Sequence, residues 1–159
     1  MIKSLKYNGI LDLAPILADH LADFWKSAGT DVDMVIPVPL SEKRQAERGF
    51  NQSALIAKAF SKKTGIPFRS DVLKKTVHTP TQVGLNADQR RENLSGVFAA
   101  EDILVCEQRI LLLDDVMTTG STFAECSAVL LDAGAKSVNC LSAATASAEH
   151  GNQEFLNTL

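Results

Sequence analysis

Apolar residues recur along the chain at two different spacings, and these predict alternating helices and strands. Helical spacing predicts helices over about residues 10–29, 51–64 and 123–133. Short apolar or alternating runs predict strands at residues 34–38, 72–77, 96–99, 109–113 and 137–143. Strands that alternate with helices pair in parallel, because each helix carries the chain back across the sheet. The pattern therefore predicts an α/β fold, a parallel Rossmann-like sheet flanked by helices, in one domain over residues 1–159.

The longest informative stretch is ILLLDDVMTTGST, residues 110–122. Four apolar residues predict a buried strand, and two carboxylates, Asp114 and Asp115, follow it. Four hydroxyl residues then surround one glycine, and we list them as candidate binding residues: Thr118, Thr119, Gly120, Ser121 and Thr122. In open α/β sheets, ligands bind outside the carboxyl ends of the strands. We therefore expect the ligand site here.

The residue types of this stretch indicate what it binds. Backbone N–H groups at a helix N-terminus bind phosphate, and the glycine allows close approach of the backbone. Asp114 and Asp115 match vicinal sugar hydroxyls or a hard divalent cation. The expected ligand is a sugar diol that carries a 5′-phosphate. The alternative is a polar turn that only caps a helix. The stretch contains neither GxGxxG nor GxxxxGK[ST], so dinucleotide and Walker-type triphosphate sites are not supported.

The charge distribution adds a second feature to this site. The net charge is −3, but residues 43–91 hold 11 of the 16 basic residues and 3 of the 19 acidic ones. A basic segment opposite an acidic loop favours a polyanion that carries a metal ion, and the alternative is a solvated basic face. Three of these cations, Lys43, Arg44 and Arg48, lie in a predicted loop over residues 40–49.

Residues 78–93 have little apolar periodicity, and we interpret them as a flexible lid. Arg90 and Arg91 lie in it and could reach a phosphate.

The cysteines and the hydropathy of the sequence indicate the cellular compartment that the protein is expected to occupy. Cys106, Cys126 and Cys140 form no CxxC pair, which favours a reducing cytoplasm over a disulfide framework or a zinc site. Cys126 and Cys140 fall on predicted core faces. No stretch approaches the roughly 20 apolar residues of a membrane span. The helix over residues 10–29 is expected to pack on the sheet, and a homodimer contact is the alternative use of its apolar stripe.

The 110–122 stretch closely resembles the phosphoribosyl pyrophosphate motif of type I phosphoribosyltransferases. The resemblance implies that Asp114 and Asp115 hold the ribose hydroxyls and that residues 118–122 hold the 5′-phosphate. It also implies a parallel sheet with a flexible lid and a hood, here minimal and assigned to residues 1–30. The family's glycosyl transfer exchanges pyrophosphate for a nitrogen base, with Mg²⁺ on the pyrophosphate.

Two further segments are similar to the ComF branch of that family. They are IPVPLSEKRQAERGFNQSALIAKAF, from residue 36, and TPTQVGLNADQRRENLSGVF, from residue 79. The resemblance places the pyrophosphate-side loop at about residues 39–48 and the lid at about residues 79–93. Asp114, Asp115 and Arg90 are then the expected catalytic residues, with Asp114 and Asp115 acting on the metal indirectly. One departure is that many ComF-like proteins begin with a cysteine-rich, zinc-ribbon-like segment, which this sequence lacks.

Three functions remain open from the sequence. The first is a phosphoribosyltransferase that acts on an unidentified base and is linked to DNA uptake in competent bacteria. The second is a catalytically silent phosphoribosyl pyrophosphate sensor, or a competence protein that binds partners of the DNA-uptake machinery. The third is single-stranded DNA binding along residues 43–91, which would need exposed aromatics among Phe50, Phe60 and Phe68.

Overall fold

The computed structural model describes residues 10–76 and 97–145. The helices of this part are α1 (Ile10–Ala28), α2 (Glu42–Arg48), α3 (Gln52–Thr64), α4 (Asp102–Val105) and α5 (Ser121–Asp132). The strands are β1 (Met34–Pro37), β2 (Leu73–Lys75), β3 (Phe98–Ala100), β4 (Arg109–Met117) and β5 (Ser137–Thr145). The predicted alternation of helices and strands is confirmed.

Three strands form a parallel sheet in the order β1-β4-β5, so β4 is central. Residue 68 extends this sheet on the outer side of β1, where the Val35 N–H donates to the Pro67 carbonyl at 2.8 Å. Strands β2 and β3 pair separately as an antiparallel ribbon. The predicted parallel sheet flanked by helices is therefore confirmed, with a small antiparallel addition.

The central strand has buried side chains on both faces, as its uniform apolar run predicts. Ile110 and Leu112 pack into one core cluster with α5 and the β2–β3 ribbon. Leu111 and Leu113 pack into the other with α1 and α3. All four are completely buried. The sheet is thus the middle layer, and β4 is fixed from both sides.

Helix α1 contributes to the core through its small residues. Ala14, Ala18 and Ala22 are buried against α3 and the sheet, while Ile16 and Phe24 are about half exposed. The expected packing of this helix on the fold is therefore observed. The predicted hood includes residues outside the described part, and the predicted lid at 78–93 lies wholly outside it. None of the described helices is long and apolar enough to cross a membrane.

Three expectations from the sequence were wrong in detail. Residues 42–48 form helix α2 where a loop was expected, because the Ser41 side chain caps it and Gly49 ends it at φ +75°. Strand β4 does not end at residue 113. It continues through both aspartates to Met117, since its backbone still pairs with β5 there. Cys140 is exposed rather than on a core face, although Cys126 is buried as expected.

The amino ends of β1 and β4 are joined by a polar contact. The Arg109 guanidinium donates two hydrogen bonds to the Asp33 carboxylate, from Nη2 at 2.7 Å and from Nε at 3.1 Å. The Arg109 backbone N–H adds a third at 2.7 Å. These hydrogen bonds from Arg109 lower the pKa of Asp33 to about 2. The contact therefore ties the two strands together at the end opposite the acids.

Candidate functional site

The carboxyl ends of β1 and β4 bring the predicted site residues to one edge of the sheet. Pro37 pairs with Leu113, and the Val38 N–H donates to the Leu113 carbonyl at 2.8 Å. The chain that leaves β1 therefore starts beside Asp114. It forms α2 and then α3, so the first turn of α3 returns to the same edge.

Asp114 and Asp115 are held by hydrogen bonds to one oxygen each. Asp114 Oδ1 accepts from the Ser53 hydroxyl at 2.7 Å and from the Asp115 N–H at 2.9 Å. Asp115 Oδ1 accepts from the Val116 N–H at 2.9 Å. Within the described residues, neither Oδ2 atom has a hydrogen-bond donor. Each carboxylate is thus oriented through one oxygen and keeps the other for a ligand.

The two acids differ in their electrostatic surroundings. Burial raises the pKa of Asp114 to about 6, against an ordinary value of 3.8, although the hydrogen bonds from Ser53 and the Asp115 backbone oppose this shift. The charge of the neighbouring Asp115 and a side-chain contact with its carboxyl group add to the rise. Ionisation of this carboxyl group is unfavourable in the unliganded protein. Hydroxyl donors or a cation placed next to it would therefore stabilise its charged form.

The hydroxyl–glycine loop leads into α5, whose N-terminus is open. Gly120 is the N-cap at φ +77°, a conformation that favours glycine, and within the described residues the helix has no side-chain hydrogen bond from its N-cap residue. By contrast, α2 and α3 are capped by the side chains of Ser41 and Asn51. The Ser121 N–H donates to the Thr119 hydroxyl oxygen at 3.4 Å. The next N–H groups, those of Thr122 and Phe123, are therefore the ones available to an anion among the described residues.

A small cleft lies at this helix end. Asp114, Met117, Thr118, Ser121 and Thr122 are among its lining residues. Thr118, Thr119 and Ser121 are exposed, and the hydroxyls of Thr119 and Ser121 lie 3.0 Å apart. The structure thus brings an acid and the hydroxyl–glycine loop to one cleft.

The expected pyrophosphate-side cations lie on α2, which follows the end of β1. Lys43 and Arg44 are exposed. Arg48 is half-buried, and its Nη1 donates to Gln52 Oε1 at 3.1 Å. Arg90 and Arg91 lie outside the described residues.

Other cations of the basic segment point to different parts of the fold. Lys63 pairs with Asp19 on α1 at 2.6 Å, and Arg69 pairs with Asp71 at 2.8 Å. The segment is therefore not one continuous basic face. Phe60, one of the aromatics that a DNA-stacking surface would need, is completely buried.

Three site residues at the start of α3 were missed by reasoning from charge and hydroxyl patterns. Asn51 caps the helix and also donates from Nδ2 to the Val38 carbonyl at 3.0 Å. Gln52 and Ser53 are the buried polar residues of the described chain, at 3% and 4% exposure. The signal was the polar triplet Asn51–Ser53 ahead of an apolar helical run, which was used only as a cap and a family motif.

The oxygen donors of the site bear on which metal ion could bind there. In residues 10–76 and 97–145, no three His, Cys, Asp or Glu side chains group as a metal site. Two carboxylates without a third ligand fit Mg²⁺, which keeps several waters and takes its other oxygens from substrate phosphates. They do not form a cage for a structural metal.

Sequence comparison finds relatives whose names concern competence and DNA use. Competence protein F of Haemophilus influenzae is 40% identical over 108 residues, which are 67% of this chain and 47% of that protein. DNA utilization protein YhgH of Escherichia coli O157:H7 is 41% identical over 106 residues, 67% of this chain and 46% of that protein. Competence protein ComFC of Streptococcus pneumoniae is 30% identical over 137 residues, which are 86% of this chain and 58% of that protein. The chain spans about half the length of the curated relatives it matches. No family model matches it.

Structure comparison finds the same fold in enzymes of nucleotide metabolism. The allosteric regulatory enzyme of purine biosynthesis superimposes with a TM-score of 0.59 at 22% identity, over 84% of this chain and 25% of that one. Glutamine phosphoribosylpyrophosphate amidotransferase from B. subtilis superimposes with a TM-score of 0.58 at 20% identity, over 84% of this chain and 26% of that one. At these identities the likeness concerns the fold.

Proposed function

Because the chain belongs to the ComF branch of the type I phosphoribosyltransferase family, we propose that it binds phosphoribosyl pyrophosphate with Mg²⁺ and transfers the phosphoribosyl group to a nitrogen base. The observation that carries this proposal is the pairing of two features at one strand end. One is the N-terminus of α5 with the N–H groups of Thr122 and Phe123, and the other is the pair of carboxylates whose Oδ2 atoms accept no hydrogen bond from the described residues. Together they match a 5′-phosphate and a ribose diol.

In this proposal the chain acts mainly by positioning the sugar. The N–H groups of α5 and the hydroxyls of residues 118–122 hold the 5′-phosphate, and Asp114 and Asp115 accept hydrogen bonds from the ribose hydroxyls. The bond between C1 and the pyrophosphate oxygen breaks as a base nitrogen bonds to C1. Positive charge that develops on the ribose ring lies near the two carboxylates, which stabilises it.

The departing pyrophosphate needs positive charge at the α2 side. Lys43, Arg44 and Arg48 supply it in this proposal, joined by Arg90 as a catalytic cation and by Arg91 from the predicted lid. Mg²⁺, held by pyrophosphate oxygens and indirectly by Asp114 and Asp115, would neutralise further negative charge on the leaving group.

A matched pair of double variants tests the α2 assignment. Lys43→Gln with Arg44→Gln removes two charges beside the site, and Lys58→Gln with Lys62→Gln removes two exposed charges further along α3. Lys62 lies ten residues after Gln52, about 15 Å along the helix at 1.5 Å per residue. We expect the first pair to weaken phosphoribosyl pyrophosphate binding about tenfold or more, since a charge-assisted hydrogen bond contributes about 1.5–3 kcal/mol. The second pair should change it by less than about twofold. Equal losses would refute the assignment.

The second candidate function is a sensor that binds the ligand without turnover. It is favoured by the names of the relatives, which concern competence and DNA utilization rather than a transferase reaction. Magnesium-dependent thermal stabilisation by phosphoribosyl pyrophosphate supports either function. Pyrophosphate release with a nucleobase from a panel selects the transferase, and binding without release across the panel selects the sensor. No stabilisation at all would refute both.

Assembly and cellular context are further parts of the proposal. We propose that the protein works in the cytoplasm, in line with its lack of a CxxC cysteine pair, and that it acts with proteins of the DNA-uptake machinery, in line with relatives named as competence proteins. The homodimer stays a prediction. Light scattering with and without the ligand tests it, and a mass that stays monomeric at micromolar concentration would contradict it.

A further inference from the structure

Ser53 connects helix α3 to both acids of the site. Its hydroxyl donates to Asp114 Oδ1 at 2.7 Å and accepts from the Asp115 N–H at 3.2 Å. The side chain is almost completely buried, at 4% residue exposure, so water does not replace these contacts readily. One hydroxyl therefore fixes the orientation of one carboxylate and the backbone position of the next.

The position of Ser53 is itself fixed by its neighbours. Asn51 binds the Val38 carbonyl at the end of β1 and caps α3 by accepting from the Ala54 N–H at 3.3 Å. Gln52 accepts from Arg48 at 3.1 Å. The first turn of α3 is thus attached to β1, to α2 and to β4. A hydroxyl on such a turn holds its partner with little freedom, which a binding site of defined geometry requires.

The occupied oxygen of Asp114 determines what the free one can do. Oδ1 already accepts two hydrogen bonds, so Oδ2 is the atom left for a ligand in the cleft that Asp114 lines. Without the Ser53 hydroxyl, the adjacent Asp115 N–H is the one donor that the described part of the chain leaves to Asp114, and rotation of its carboxyl group becomes easier. The direction of Oδ2 would then no longer be set.

We propose that Ser53 is a positioning residue that makes the site selective for ribose over 2-deoxyribose ligands. This inference rests on the proposed function, since it assumes that Asp114 and Asp115 receive the sugar hydroxyls. A partly buried acceptor oriented for a hydroxyl is left without that partner by a ligand that lacks the hydroxyl, and such a site favours the ligand that has it. Ser53 supplies that orientation without touching the ligand itself.

The test compares ribose 5-phosphate with 2-deoxyribose 5-phosphate, both titrated calorimetrically into the protein with Mg²⁺ present. Wild type should prefer the ribose ligand by about tenfold or more, the scale of one hydrogen bond to a charged group. Ser53→Ala should lose most of this preference, because binding of the ribose ligand weakens while binding of the deoxy ligand changes little. Ser53→Thr keeps the hydroxyl and should keep the preference.

A matched control lies on the same helix. The Ser61 hydroxyl donates to the Ile66 carbonyl at 2.6 Å, at the far end of α3 from the site. Ser61→Ala removes a comparable hydrogen bond and should leave the preference unchanged. If Ser53 had a purely structural role, Ser53→Ala would weaken binding of both ligands equally, as a general loss of folding would. Ser53→Cys, with similar volume and a weaker donor, replaces Ser53→Ala if the latter does not unfold cooperatively.

The outcomes separate the inference from the function on which it rests. If wild type prefers ribose and Ser53→Ala keeps that ratio, the positioning role is overturned and the proposed function stands. If wild type binds neither ligand or does not distinguish them, the diol site itself is wrong, and the inference falls with it. A double-mutant cycle adds a second criterion. Asp114→Asn should weaken binding of ribose 5-phosphate little further when Ser53→Ala is already present, and losses of binding free energy that add would contradict the inference.

Discussion

Replacing Asp114 with asparagine should stabilise the unliganded protein while removing ligand binding. Asparagine keeps a side-chain oxygen at the same position, so it can still accept from Ser53 and from the Asp115 N–H. It removes the cost of an ionised carboxyl in a partly buried place. The substitution therefore isolates the charge from the hydrogen bonds around it.

The magnitude follows from the pKa of Asp114, which burial raises from 3.8 to about 6. A shift of about two units corresponds to about 3 kcal/mol at 1.36 kcal/mol per unit. Solvent reaches part of this side chain and screens it, so we expect a gain of about 1–2 kcal/mol.

The sign of the pH dependence follows from the direction of the shift. Between about pH 4 and pH 6 the folded protein binds the Asp114 proton more tightly than the unfolded chain does. This group therefore lowers wild-type stability as pH rises through that window, and the full penalty is present above it. The advantage of Asp114→Asn should be largest at pH 8 and should shrink towards pH 4.

Urea unfolding of both proteins at pH 8, 6 and 4.5, without ligand or metal, measures this advantage. Asp23→Asn, at an exposed position of α1, is the control and should change stability by less than about 0.5 kcal/mol. An advantage that is absent at pH 8, or that stays constant with pH, would refute the electrostatic reasoning. A variant that binds phosphoribosyl pyrophosphate as wild type does would refute the role of Asp114 in the site.

Three further predictions concern the scaffold. Leu112→Ala, at a completely buried position of β4, should cost about 2–5 kcal/mol in urea unfolding, whereas Leu131→Ala, about half exposed on α5, should cost much less. Asn51→Ala should cost about 1 kcal/mol or more through the lost cap of α3, measured in the same way, and an unchanged midpoint would contradict the assigned cap. Arg109 lowers the pKa of Asp33 to about 2. The contact between the two side chains therefore stabilises the folded protein fully above about pH 4, and this stabilisation is lost as pH falls through 2. Asp33→Asn should therefore unfold at lower denaturant concentration than wild type at pH 6, with a gap that narrows in acid.

The fold was predictable from the sequence where burial decides the structure. The run of residues 110–113 identified the central strand, because a strand covered on both faces has consecutive apolar residues and the run is too short for a buried helix. The helices over 10–28, 52–64 and 121–132 followed from apolar spacing and from glycines at or near their ends. These features depend on neighbouring residues, which a single sequence displays.

The features that were missed depend on contacts between distant segments. Helix α2 has no buried residue, so it leaves no apolar pattern, and its Ser41 cap was the signal available. The extension of β4 through the aspartates depends on backbone pairing with β5, to which side chains contribute little. Ser53 meets Asp114 across 61 positions of sequence, and a serine in a polar triplet does not indicate which carboxylate it contacts.

The contact between Asp33 and Arg109 has a consequence for the opposite end of the sheet. Residues 110–113 are completely buried on both faces, so shifting β4 by one residue exchanges apolar side chains without exposing a polar one among them. Burial in that stretch alone does not determine the alignment of β4 with β1. The hydrogen bonds from Arg109 to Asp33 favour the observed alignment, because one of them comes from the Arg109 backbone N–H and depends on the position of the strand. The reach of Asp114 and Asp115 beyond the sheet edge is therefore determined partly by an ion pair five residues upstream, on the far side of the molecule from the cleft.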